Sequence, residues 1–224
     1  MKEKITDKEI LWERFDDLEE ELFLIEQGLN IKFENDELAH IHNFEELTDL
    51  IISKIDMDED NKCTSSLLFY KLRRFITYFG GDVTQLRPDT KLEDIFPSKG
   101  RRKKIKILER YLGFELDLLA PNYILLSLLA ALFFAGIMNL FTSVVVGLVV
   151  LAIAVLGFYL AFTFGKTLQY DTVRNLIEDV TLYNYLDIRK NIGTVNKHEI
   201  KVLLDTHYCG IMRVKKEELA QIQF

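Results

Sequence analysis

Residues Leu118–Gly165 read LLAPNYILLSLLAALFFAGIMNLFTSVVVGLVVLAIAVLGFYLAFTFG and contain no Asp, Glu, Lys or Arg. A single bilayer crossing needs roughly 20 apolar residues, so this run has the length for two. The spacing predicts spans over Tyr123–Asn139 and Ser143–Phe164, joined by a tight turn. Asn139 is the one amide in the interior of the run. An amide is costly in hydrocarbon, so Asn139, Thr142 and Ser143 mark the turn at the far interface. Two other readings of the run stay open from sequence: one very long tilted helix, and a hairpin buried in a protein core. Small residues at four-residue spacing, Gly157, Ala161 and Gly165 on one span and Ser127, Ala131 and Ala135 on the other, are the expected contact faces.

The flanks set an expected orientation. Lys99, Arg101, Arg102, Lys103, Lys104, Lys106 and Arg110 precede the first span, and Lys166 follows the second. The connection between the spans has no basic residue. The excess of positive charge then places both flanking regions in the cytoplasm. The expected location is the bacterial inner membrane or an equivalent, with both termini cytoplasmic. The N-terminus carries no apolar leader with a cleavage site, and no cleaved signal is expected.

Charge is strongly uneven. The net charge is -7, but residues 1–60 carry 20 acidic and 6 basic groups, while 61–117 carry 13 basic and 7 acidic groups. The acidic arm is repelled by anionic lipid and the basic stretch is attracted to it. The cluster from Lys99 to Lys106 is therefore a candidate lipid-headgroup contact, made by Lys99, Arg101, Arg102, Lys103, Lys104 and Lys106. Its place beside a span favours membrane lipid over nucleic acid as partner. Cys63 and Cys209 are far apart in sequence and read as reduced, buried small hydrophobes. His40 and His42 lack further ligands at metal-binding spacing. With no phosphate loop, nucleophile elbow or metalloprotease helix, the chain reads as a non-enzyme without a cofactor.

Outside the run, the pattern is helical. Thr6 with Glu9, Asn43 with Glu46, Thr90 with Glu93 and Asn196 with Glu199 have capping-box spacing. Gly28, and the pair Gly80–Gly81, are expected helix stops. Asp56–Lys62 reads as a solvated linker, and no convincing strand is found. The domain organisation expected is an acidic helical region 1–60, a basic helical region 61–119, a transmembrane hairpin 120–166 and a C-terminal helical region 167–224. The tail is too apolar to hide its own surface. Its helix at Asn196–Tyr208 is expected to pack on those at Ile10–Gln27 and Phe44–Ile55.

Several segments resemble acyl carrier proteins. Ile25-Glu26-Gln27-Gly28-Leu29-Asn30-Ile31, followed by Glu37-Leu38-Ala39-His40-Ile41 and Asn43-Phe44-Glu45-Glu46-Leu47, is similar to the end of the second carrier helix, the third and the fourth. Arg87-Pro88-Asp89-Thr90-Lys91-Leu92-Glu93-Asp94-Ile95 resembles the loop after the first carrier helix. Leu108-Glu109-Arg110-Tyr111-Leu112-Gly113-Phe114 resembles the end of the second. The resemblance implies an all-α fold: four-helix carrier-like cytoplasmic bundles plus a transmembrane helical hairpin. One bundle would join 1–60 to 191–224, and the other would join 61–119 to 167–190. The Asp-Ser-Leu attachment motif for phosphopantetheine is missing. Ser98, between Pro97 and Lys99, lies nearest its register; as a plain structural residue it would cap the basic helix.

The leading expectation is a membrane-anchored, non-enzymatic scaffold or interaction protein, tied to acyl or lipid metabolism if the resemblance carries function. It would bind a protein partner or a second copy. The alternatives are a membrane-tethered carrier loaded at Ser98, and a small integral-membrane assembly subunit.

Overall fold

The computed structural model describes residues 8–34, 37–79, 81, 83–84, 86–190, 192–220 and 222, with side chains from Leu18 onward except Glu19. The chain is all-α apart from one pair of two-residue strands. Two units are distinguished. The first holds residues up to 86, 112–114 and those from 174 on; the second holds 87–111 and 115–173.

In the first unit, helix α1 (Lys8–Leu29) is followed by a 3-10 turn at Leu38–His40, then α2 (Phe44–Ser53) and α3 (Thr64–Tyr78). The cap expected at Thr6 and the side chains of Leu11, Trp12 and Phe15 lie outside the described residues. Gly28 does not end α1. A Cβ there would come within 2.7 Å of the Leu182 and Tyr183 carbonyl oxygens, so glycine is required for a close approach of two backbones. The stop comes at Asn30, whose φ of 50° is left-handed. The Asn30 and Ile31 N–H groups bond to the carbonyls of Gln27 and Glu26, which closes the last turn. Gly80 lies outside the described residues. Asn43 caps α2 as its spacing predicts: its side chain accepts from the Glu46 N–H at 2.9 Å. The Glu46 carboxylate reaches back to the His42 N–H at 2.7 Å.

The C-terminal elements of this unit are α8 (Val173–Tyr183), whose residues from Arg174 belong here, α9 (Tyr185–Arg189), α10 (Lys197–Met212) and α11 (Lys216–Leu219). α10 packs on α1 and α2, and α9 packs on α1 and α3. Ile25 and Leu29 of α1, Phe44, Leu47 and Ile51 of α2, and Ile200, Leu204, Tyr208 and Met212 of α10 share one buried core. The Phe44 and Tyr208 rings meet at 4.8 Å between centroids. This core gathers residues more than 150 positions apart, and the tail supplies about half of it.

The acidic run 56–62 is more than a solvated linker. Its Asp60 N–H bonds to the Val195 carbonyl at 2.7 Å, and the Val195 N–H bonds to the Asp58 carbonyl at 2.9 Å.

In the second unit, α4 (Leu92–Ile95) and α5 (Arg101–Leu112) lead to strand β1 (Leu119–Ala120). α4 lacks a side-chain cap; Thr90 instead accepts from the Arg87 N–H at 2.9 Å. Then come α6 (Tyr123–Leu140), α7 (Val144–Phe164) and β2 (Thr167–Leu168). Both α6 and α7 are long and apolar enough to cross a membrane. They are two separate helices packed on each other, which excludes one long tilted helix. They are also not a protein core. Only 6% of the α6 window and 17% of the α7 window is buried, and Ile124, Phe134, Met138, Val145, Leu156 and Phe162 are all exposed.

The connection falls at 141–143. Asn139 closes α6: its side-chain amide donates to the Ala135 carbonyl at 2.8 Å, and its own carbonyl accepts from the Thr142 and Ser143 N–H groups. The contact between the spans is leucine over glycine. Gly157 faces Leu129, Gly147 faces Leu140, and Gly136 faces Leu151, each so closely that a Cβ would collide. Ala154 and Ala161 are buried in the same seam. Ser127, Ala131 and Ala135, the face expected on α6, are exposed instead. Large residues on one span filling the gaps over small ones on the other make the contact, rather than two small faces meeting.

Candidate membrane-surface site at the base of the hairpin

The two ends of the hairpin are fastened together. β1 pairs antiparallel with β2, Leu119 opposite Leu168 and Ala120 opposite Thr167. A Cβ on Gly165 would lie 2.7 Å from the Ala120 carbonyl oxygen, so glycine is needed where the chain leaves α7. Strands of two residues leave no alternating pattern, and nothing in the sequence signals them.

Arg101 completes this collar. It is buried, 6% exposed. Its Nε donates to the Phe96 carbonyl and its Nη1 to the Lys166 carbonyl, both at 2.6 Å. Nη2 has no hydrogen-bond partner and lies 3.6 Å from the exposed carboxylate of Glu93. Arg101 therefore ties the loop before α5 to the residue that follows the second apolar helix. The next residue, Arg102, lies over the Phe164 ring at 5.6 Å.

A concave pocket of about 440 Å³ opens beside this clamp. Ser98, Gly100, Arg101 and Arg102 line it at the start of α5, Lys103, Lys106 and Arg110 along one face, and Lys166 from beyond the hairpin. Six cationic side chains converge there with no carboxylate in the lining. The first turn of α5 adds N–H groups without intrahelical acceptors and the positive end of the helix dipole. Such an arrangement is complementary to an anion, phosphate above all.

Of the residues the sequence singles out, Ser98, Arg101, Arg102, Lys103 and Lys106 come together here. Lys99 and Lys104 are exposed and lie off the lining. Ser98 is exposed but does not cap α5. The helix starts at Arg101, and the residue before it is Gly100, with a left-handed φ of 77°. Arg110 and Lys166 were missed as site residues. The i, i+3, i+7 spacing of Lys103, Lys106 and Arg110 puts them on one helical face, and that signal was available.

The first unit holds two polar networks of another kind. Arg189 is 1% exposed. Nε donates to the Thr194 carbonyl at 2.6 Å, Nη1 to the Lys62 carbonyl at 2.7 Å and to Thr64 Oγ1 at 3.0 Å. Nη2 donates to Asp60 and to Thr194 Oγ1. All five guanidinium donors are satisfied. The Thr194 hydroxyl bond, with the Lys62 N–H and Arg189, holds the Asp60 pKa down at about 2.

The second network joins His207 to Glu21 at 3.1 Å and to Asp179 at 3.6 Å, with the Tyr183 hydroxyl bonded to both His207 and Glu21. Burial disfavours the imidazolium. The hydrogen bonds and charges of Asp179 and Glu21 outweigh burial and lift the His207 pKa to about 9. His207 is thus a fixed cation at neutral pH rather than a base.

Glu199 departs from its expected role. Asn196 does cap α10, but the Glu199 carboxylate caps α3 instead, accepting from the Thr64 N–H at 2.7 Å and the Ser65 N–H at 2.9 Å. Burial opposes its charge, yet those N–H bonds keep its pKa below the ordinary carboxylate value. Cys63 is exposed rather than buried and sits at the N-cap of α3, 3.2 Å from Glu199. His40 and His42 are exposed, and among the described residues no cluster of His, Cys, Asp and Glu is placed to hold a metal.

Comparison with known protein families, curated proteins and solved structures gives no match. The likeness to acyl carrier proteins rests on the quoted segments alone; the structure shows a helical chain with two apolar helices long enough to cross a membrane.

Proposed function

We propose that the chain is a membrane-anchored, non-enzymatic helical scaffold. Its hairpin crosses the bilayer, its basic helix α5 meets the cytoplasmic leaflet, and its first unit is presented to a partner protein or a second copy. One observation carries this reading. Two exposed apolar helices are clamped at their shared end, through Arg101, to the most basic helix of the chain. Hydrocarbon accounts for the exposed apolar surface, and an anionic leaflet accounts for the charge beside it. The acidic excess of residues 1–60 then keeps the first unit off that surface. Phe23 and Leu24, exposed on α1, offer this unit an apolar contact. The carrier-like segments would place the partner in acyl-chain or lipid metabolism.

Two measurements test the reading. In intact cells, with Cys63 and Cys209 replaced, an impermeant thiol reagent should label a cysteine at Thr142 and miss one at Lys8; the reverse pattern sinks the topology. A photo-crosslinker at Phe23 in the full chain should join one defined protein or a second copy, and its absence removes the scaffold role. Ser98, exposed at the rim of a cationic pocket, keeps the carrier alternative open to test. A phosphopantetheine adduct on the intact protein from its native host would replace the scaffold reading.

A further inference from the structure

The pocket at the start of α5 is more than a charged surface, and its geometry gives it a specific ligand. Four observations converge. It is an open depression of about 440 Å³, wide enough for a headgroup to enter from the side. Its lining brings together six cations, which repel one another unless an anion sits among them. Arg101 is more than nine-tenths buried, lines this pocket, and keeps Nη2 without a hydrogen-bond partner. Glu93, its nearest counter-charge, is 75% exposed and 3.6 Å away, so it neutralises Nη2 poorly. Finally, Lys166 lies two residues past the end of α7, so the pocket stands where that apolar helix ends.

We infer that this pocket binds a single phosphate group, presented by the headgroup of an anionic phospholipid. The phosphate oxygens would accept from the N–H groups of the first α5 turn, while Arg101, whose Nη2 is closed off from solvent, supplies fixed positive charge beside them. Lys103, Lys106, Arg110 and Lys166 would close around the remaining charge. The lipid source follows from position, because acyl chains attached to that phosphate would run alongside α6 and α7, whose side chains are exposed. This rests on the reading of the hairpin as membrane-spanning and deepens it from general attraction to a defined headgroup site.

The test separates the two levels. The full chain is purified in a neutral detergent, and retained lipid is counted by native mass spectrometry after addition of phosphatidic acid, phosphatidylglycerol or phosphatidylcholine. Two double variants remove the same charge from the same region: Lys103→Gln with Lys106→Gln inside the pocket, and Lys99→Gln with Lys104→Gln outside it. All four side chains are exposed, so neither variant disturbs a core. The pocket variant should lose phosphatidic acid binding by about tenfold or more, and the outer variant by no more than about twofold. Phosphatidylcholine should not be retained. Equal losses in the two variants would overturn the pocket while leaving the surface attraction standing. No retention of either anionic lipid by the unmodified chain would overturn both. Inorganic phosphate alone, titrated by calorimetry, should bind far more weakly than the lipid. Binding of comparable strength, lost in the pocket variant, would assign the site to soluble phosphate and overturn the lipid source.

Discussion

Among the described residues two arginines are buried, one in each unit, and they are held in opposite ways. Arg189 in the first unit has every donor bonded, an aspartate among the partners, and the Tyr185 ring 5.8 Å from its guanidinium carbon. Arg101 in the second unit has two backbone carbonyls, no bonded carboxylate and one nitrogen left over. A buried charge is costly until its hydrogen bonds are complete. Arg189 is complete within the chain, so its work is structural. Arg101 is incomplete within the chain: its Nη2 is closed off from solvent with only the Glu93 carboxylate near it, at 3.6 Å. The contrast separates a fully bonded knot from a clamp with a bond left over, although both read in sequence as ordinary basic residues.

The largest expected effect comes from untying the closed knot. Arg189→Ala would leave Asp60 and two backbone carbonyls without their donor. It should destabilise the first unit by about 3–5 kcal/mol. Arg189→Lys should rescue little, because an ammonium cannot reproduce a five-donor fork. Hydrogen exchange of the full chain in detergent reads this directly, as lost protection in α1, α2 and α10 with α6 and α7 unchanged. Full protection in the Arg189→Ala chain would break the comparison.

The second effect is a pH dependence confined to the same unit. The His207 pKa is raised to about 9, above its ordinary 6.5. The ion pairs therefore contribute fully below pH 6.5, and their contribution fades as pH rises through about 9. The loss should be at most about 3 kcal/mol. Glu21, held low through the same contact, belongs to that figure and adds nothing to it. On the acid side, Asp60 and Glu199 have lowered pKa values. Their contribution is present above the ordinary carboxylate range and is lost as pH falls through it, for Asp60 toward about 2. His207→Gln should flatten the alkaline limb of a stability profile and leave the Asp60 and Glu199 share of the acid limb alone. An unchanged alkaline limb would mean that the cluster does not hold the fold.

The smallest effect should come from the open arginine. Arg101→Gln removes one charge and keeps a donor for one of the two carbonyls, at a loss of about 1–3 kcal/mol local to the hairpin base. Exchange should rise at Leu119, Ala120, Thr167 and Leu168 and remain unchanged in α10. If Arg101→Gln exposed the first unit as severely as Arg189→Ala, the two arginines would not differ in kind.

What could be read from the sequence follows physical range. The hairpin was legible because an uncharged run as long as Leu118–Gly165 has the length for two apolar helices and a polar break at Asn139 to separate them. The α2 cap was legible because Asn43 and Glu46 are three residues apart. The face of α5 that forms the pocket was half legible: the charge density was plain, but the sorting of Lys103, Lys106 and Arg110 from Lys99 and Lys104 needed the helical register. The polar networks were not legible. Arg189 meets Lys62 and Thr64, Glu199 meets Thr64, and Glu21 meets His207, each across more than 120 residues. Glycine misled in a telling way. Gly28 looked like a helix stop because glycine usually serves there, while its place is fixed by the Leu182 and Tyr183 carbonyls from the other end of the chain. The seam of the hairpin misled similarly: Ser127, Ala131 and Ala135 on α6 marked no contact, while Gly136 on α6 and Gly147 and Gly157 on α7 sit under leucines of the other span.

The ladder that joins Ala120 to Thr167 has an engineering consequence. Residues directly opposite in an antiparallel pair lie about 5 Å apart, a gap that a two-residue turn can close. Everything between them, both apolar helices included, is therefore a detachable cassette, with its entry and exit at one point of the chain. Excising 121–166 and inserting Asn-Gly would join β1 to β2 as a simple hairpin, at the loss of the Lys166 carbonyl that Arg101 bonds. Recovery of that chain without detergent is the result expected if the two helices are its membrane-spanning part.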